Sequence, residues 1–192
     1  MKNILMIDAC VRSGSRTRAL AEHLLSRLDG EVTRLALYET ALPALDEARL
    51  ARRMDSCTRR CFDDGYYDFA KQFAQADIIV IAAPFWDGSF PAALKQYIET
   101  VCITNLTFRY TENGVPEGLC RAKQLWYVTS AGGPIGEDPF GWGYLRALAQ
   151  NMFGIPQAHF VKAEGLDIRG ADERAIMVEA MREIDAQCGA QV

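Results

Sequence analysis

The residues with the most chemistry to offer stand at the start of this 192-residue chain. An apolar run, Met1-Lys-Asn-Ile-Leu-Met-Ile-Asp8, enters a small hydroxyl-rich turn, Cys10-Val-Arg-Ser-Gly-Ser-Arg-Thr17. Leu20, Leu24, Leu25 and Leu28 then repeat at helical spacing, which predicts a helix over Arg16–Leu28 with Ser15 or Thr17 as its cap. A strand that delivers hydroxyls and backbone N–H groups to the positive end of a helix is suited to hold phosphate. An ordinary capped strand-to-helix turn has the same look, so the other loops must decide.

The remaining elements have to bring those loops together. Apolar periodicity predicts strands over Lys2–Ile7, Glu31–Leu37, Asp77–Ala83, Gln124–Ser130 and Gln157–Ala163. Tyr67–Gln75 reads as the end of a helix, and further helices are predicted over Pro91–Val101, around Tyr144–Phe153 and over Asp172–Gln187. Between Tyr38 and Tyr66 the pattern is faint, with Leu42–Leu45 read as a loop and Glu47–Arg60 as an exposed helix. Strands and helices alternate, and the continuous apolar strands suit a buried parallel sheet. One α/β domain over residues 1–192 is expected, doubly wound, with ligands beyond the carboxyl ends of its strands.

Three of those strand ends carry distinct chemistry. The first is the hydroxyl turn. The second reads Pro84-Phe-Trp-Asp-Gly-Ser-Phe-Pro91, where two aromatics and a glycine suit a flat heterocycle; the third reads Ala131-Gly-Gly-Pro134, where glycines allow close approach and expose N–H donors. Phosphate, ring face and ring edge are all satisfied by flavin mononucleotide (FMN), with backbone N–H groups near Gly132 and Gly133 placed to stabilise negative charge on the reduced ring. A dinucleotide would call for G-x-G-x-x-G after the first strand and an acid some twenty residues later, and neither that nor a P-loop occurs. The redox chemistry belongs to the cofactor, and the protein need supply placement and electrostatics.

The segments Pro84–Pro91 with Leu94-Lys-Gln-Tyr97, Thr107-Phe-Arg-Tyr-Thr-Glu-Asn-Gly114 with Pro116-Glu-Gly-Leu119, and Thr129-Ser-Ala-Gly-Gly133 resemble the flavodoxin-like FMN-dependent NAD(P)H quinone reductases and azoreductases. The likeness runs over nearly the whole chain and is most specific in Thr107–Leu119. It implies a five-stranded parallel sheet of order 2-1-3-4-5 with helices on both faces, non-covalent FMN, and a homodimer with shared active sites. It also implies NADH or NADPH as reductant and a quinone or azo compound as acceptor. By position, the resemblance assigns the phosphate to Ser15, Arg16 and Thr17, with Cys10 where a serine is common. It assigns the ring to Phe85, Trp86, Asp87 and Gly88 on one loop and Ser130, Ala131, Gly132 and Gly133 on the other. Trp86, Phe108 and Tyr110 are then the substrate-facing residues, the last two on a hairpin turning at Asn113-Gly114. Asp87 stands where an asparagine is usual and Ala131 where azoreductases often have an arginine, which bears on flavin potential and acceptor preference.

Two alternatives remain open on sequence alone. Cys10-x5-Arg16-Thr17 also fits the phosphate loop of low-molecular-weight tyrosine phosphatases, with Asp138 as acid, although that reading leaves the aromatic and glycine loops without a task. A flavodoxin-type electron carrier would keep FMN but dock on protein partners, and a net charge of -4 with mixed signs offers it little. The same balance, without a basic stripe, disfavours nucleic acid. No run is long enough to span a bilayer and no signal peptide is evident, so the cytoplasm is expected. Six scattered cysteines are expected to be reduced, with Cys57 and Cys61 on one helical face and not a metal pair. Surplus aromatics at Tyr66, Tyr67, Phe140, Trp142 and Tyr144 fit a dimer.

Overall fold

The computed structural model describes residues 1–189. Its central sheet contains β1 (Asn3–Asp8), β2 (Glu31–Ala36), β3 (Ile78–Ala82), β6 (Gln124–Ser130) and β7 (Gln157–Ala163). The spatial order is β2-β1-β3-β6-β7, all parallel. Counting these five alone, that is the expected 2-1-3-4-5. A separate antiparallel hairpin pairs β4 (Phe108–Tyr110) with β5 (Pro116–Gly118).

The central strands are apolar throughout because both faces are covered. Leu5, Ile7, Ile79, Ile81, Leu125 and Tyr127 face one core, against side chains from α3 (Asp68–Gln75), α4 (Ala92–Val101) and α5 (Trp142–Leu148). Ile4, Met6, Ile78, Val80, Trp126 and Val128 face the other, against α1 (Arg16–Leu25) and α6 (Glu173–Gly189). The edge strand β2 carries Glu31 and Arg34 among its exposed residues, which discourages pairing with another chain.

Helix ends depart from the sequence expectation for local reasons. The first helix stops at Leu25, not Leu28: the Ser26 hydroxyl donates to the His23 carbonyl at 2.7 Å, and the Arg27 and Leu28 N–H groups tighten onto Leu24 and Leu25. The fifth starts at Trp142, two residues early, because both Asp138 carboxylate oxygens accept N–H bonds, from Gly141 and Trp142, each at 2.8 Å. It then runs into a π turn over Ala149–Phe153. In α2 (Glu47–Arg59), capped by Asp46, the chain leaves the helix at Arg60 with φ 52°. Cys61 therefore lies outside the helix and exposed, while Cys57 packs against the core, so the two do not share a helical face.

The hairpin is anchored at its base. The Thr107 hydroxyl donates to the Val101 carbonyl at 2.7 Å and accepts from the Ile103 N–H. Gly118 lies against the backbone of Phe153 and Gly154, so close that a Cβ there would fall 2.1 Å from the Gly154 nitrogen. At the other end Gly114, with φ 75°, sits in open space. Gly118→Ala is expected to destabilise the protein by about 2 kcal/mol or more through backbone overlap, against about 1 kcal/mol for Gly114→Ala, where only the dihedral is strained; urea unfolding of the two variants gives the order.

A pH dependence follows from β7. The His159 ring stacks on buried Trp126 at 4.0 Å between centroids, and burial depresses its pKa below the usual 6.5. The unfolded chain then takes up this proton first as the pH falls. Stability from neutral His159 is present above 6.5 and is lost as the pH drops through the lower folded value. Thermal melts from pH 8 to 5 should show that loss, and His159→Phe should flatten it.

Candidate functional site

The site forms where β1, β3, β6 and β7 end. At β1, buried Asp8 turns the chain: its Oδ1 accepts the Cys10 N–H at 2.8 Å. Ser15 caps α1, its hydroxyl accepting the Arg18 N–H at 3.2 Å. The N–H groups of Ser15, Arg16 and Thr17 have no helical acceptor, as at any helix start. Thr17 is buried, and its hydroxyl meets that of Ser130 at 2.6 Å, which joins the first loop to the end of β6.

After β3 the chain continues the sheet, with the Phe85 N–H donating to the Ser130 carbonyl at 3.0 Å. It then folds back in a two-residue turn in which Trp86 and Ser89 exchange backbone bonds of 2.8 and 2.9 Å. Asp87 and Gly88 occupy the turn with φ of 51° and 80°, a left-handed pair that Asp-Gly adopts readily. The Ser89 hydroxyl donates to the Phe140 carbonyl at 2.9 Å and fixes this aromatic turn against the neighbouring loop.

The glycine loop after β6 runs beside the loop after β7. Ala131, Gly132 and Gly133 accept the N–H groups of Leu166, Asp167 and Gly165. A Cβ on Gly132 would lie 2.3 Å from the Asp167 carboxylate, so the close approach made there is by Asp167, whereas Gly133 faces open space. Asp167 in turn pairs with Arg16 at 2.8 Å, and that hydrogen bond holds its carboxyl below the usual carboxylate range.

These loops line one cleft. Cys10, Ser15, Arg16 and Thr17 line it from the first loop, Phe85 and Trp86 from the second, and Ser130, Ala131 and Gly132 from the third. Of the remaining residues expected at a site, Asp87, Gly88, Gly133, Phe108 and Tyr110 lie outside this lining. Phe108 is 5% exposed under the edge of Tyr110, which is 56% exposed on the hairpin. Asp167 escaped the sequence analysis; the signal was that Glu164-Gly-Leu-Asp167 follows a fifth predicted strand and so belongs to the same edge. The donors fit FMN: uncharged N–H groups and hydroxyls at one end for phosphate, aromatic side chains for the ring.

The same geometry gives the phosphatase reading no support. Burial pushes the Cys10 thiol up to about 12, and the thiol points its weak donor at the Ala82 carbonyl, 3.6 Å away. Asp138, the proposed acid, is 2% exposed and committed to capping α5.

Residues 2–188 match a family model described by the flavodoxin-like fold. The chain belongs to this flavodoxin-like family. It is 35% identical over 173 residues to FMN-dependent NADH:quinone oxidoreductase 2 of Clostridium acetobutylicum, a match covering 88% of this chain and 85% of that one. It is 31% identical over 196 residues to FMN-dependent NADH:quinone oxidoreductase of Coprothermobacter proteolyticus, covering 96% and 97%. Among solved structures, an azoreductase from Bacillus anthracis superposes with a TM-score of 0.83 at 23% identity over 98% of this chain and 99% of that one. That likeness confirms the flavodoxin-like fold.

Because a buried, protonated thiol reacts slowly, this flavodoxin-like protein treated with iodoacetamide at pH 8 should be labelled first at exposed Cys61, with Cys10 resisting until the chain unfolds. Peptide mass spectrometry at intervals reads the order, and early labelling at Cys10 would revive the thiolate chemistry.

Proposed function

We propose that this protein is an FMN-dependent oxidoreductase that takes reducing equivalents from NADH and delivers electron pairs to quinone or azo acceptors. The observation that carries the reading is the 2.6 Å Thr17–Ser130 hydroxyl contact, which joins the helix-start donors to the loop beside Phe85 and Trp86 in a single cleft. The curated relatives named for FMN, NADH and quinone support the same conclusion.

When bound, FMN would supply the hydride-accepting and electron-donating chemistry. The chain's residues would hold and shield it. Ser15, Thr17 and the N–H groups of the first α1 turn are suited to the phosphate. Phe85 and Trp86 are suited to the ring faces, and the N–H of Gly132, on the same lining, to negative charge at its edge. Arg16, already paired with Asp167 and 3.7 Å from Glu173, adds little net charge, which leaves the neutral donors, with Arg12 on the same lining, to hold the phosphate. Cys10 contributes packing at the base of the same end.

The proposal extends to one domain over residues 1–192 and to a homodimer. Trp86 on the cleft, Phe140 beside its aromatic turn, and Tyr110 and Val115 on the hairpin are exposed apolar surface that a second copy would cover, and Tyr110 would then reach the partner's acceptor. Six free cysteines fit a reducing compartment, in keeping with the cytoplasm; among the described residues no helix is long and apolar enough to cross a membrane.

Purified protein should be yellow, or take up added FMN, and anaerobic NADH should bleach it at once, with menadione restoring the colour. Bleaching only with a separate reductase would mark an electron carrier. Colourless protein that refuses FMN would overturn the proposal.

A further inference from the structure

Three arginines flank the phosphate-suited loop, and the one furthest from the cleft has the most organised contacts. Arg18 is absent from the cleft lining and instead borders a separate hollow behind the loop, together with Asp8, Glu22, Arg34 and Tyr38. From there its guanidinium donates to the Asp8 carboxylate through Nε, to the Arg12 and Ser13 carbonyls through Nη1 at 2.8 and 3.2 Å, and to the Cys10 carbonyl through Nη2 at 2.7 Å. Asp8, itself 8% exposed, holds the Cys10 N–H on its other oxygen.

Across a planar trans peptide the carbonyl and the following N–H point in opposite directions. Drawing the carbonyls of Cys10, Arg12 and Ser13 backward turns the N–H groups of Val11, Ser13 and Gly14 away from Arg18; Gly14 lines the cleft, Val11 borders both cleft and hollow, and Ser13 borders the hollow. We propose that Arg18 is the positioning residue of the phosphate site: it shapes the loop into an anion-binding nest from behind and does not touch the anion. The inference rests on the FMN reading above and names the part of this chain that would make the phosphate end selective.

Charge is not the agent. Asp8 neutralises the guanidinium in place, while the flat five-donor fork is what matches three carbonyls and a carboxylate at once. A lysine keeps the charge and loses the fork.

The test compares FMN with riboflavin, which lacks the phosphate, by fluorescence titration of the deflavinated full-length protein, its Arg18→Lys variant and its Arg18→Met variant. Both variants should bind FMN at least about tenfold more weakly, a change of roughly 1.4 kcal/mol, with riboflavin affinity within about twofold of the parent. Arg18→Lys matching the parent for FMN would show that charge suffices and overturn the inference. A parallel fall for FMN and riboflavin would do the same, by reducing Arg18 to general structural support. If the parent binds neither compound, the FMN reading itself falls, and this inference with it.

Discussion

A parallel sheet with both faces covered has one free edge where loops of any length can meet, and this constraint organises everything else. The strands β1, β3 and β6 are apolar on both sides because helices close over both, and right-handed crossovers return each helix to the same starting edge. Every strand therefore ends at the same rim. The hydroxyl turn, the aromatic turn and the glycine loop are far apart in sequence and adjacent in space for that reason alone.

Adjacency becomes a site through a few polar contacts that the core makes stronger. The Thr17 and Ser130 hydroxyls are both buried, and a hydrogen bond between groups removed from water is costly to leave unmade. Asp8 works in the same way, holding the Cys10 N–H on one oxygen and Arg18 on the other. Arg16 and Asp167 then tie the loop after β1 to the loop after β7 at the exposed mouth, where screening makes an ion pair worth less. The firm contacts lie deep and the weaker ones at the rim, which leaves the outer part of the cleft the easier part to adjust.

Much of this was legible in the sequence, for reasons that differ by element. Buried parallel strands advertise themselves as continuous apolar runs, so Ile78–Ala82 and Gln124–Ser130 were plain, and the strand order followed from the resemblance. The first and third loops became readable together, because hydroxyls at one strand end and glycines at another offer different donors to a single ligand. Asp167 was not, since an acid in a polar loop looks the same whether it is solvated or paired. Asp138 misled for the opposite reason: a cap, a catalytic acid and a surface carboxylate share one letter, and burial alone separates them. Cys57 and Cys61 show the limit of spacing arguments, because a single left-handed residue at Arg60 cancels the helical face that the count implies.

The contact of Gly118 with Gly154 has a mechanical side. Two glycines in backbone contact make a joint with no side chain to act as a bearing, so the β4–β5 arm is seated directly on the turn that follows α5. Phe153 in that turn meets Phe73 edge-to-face, ring centroids 4.8 Å apart, deep in the core. The seat of the arm and a core aromatic are thereby neighbouring residues of one short turn.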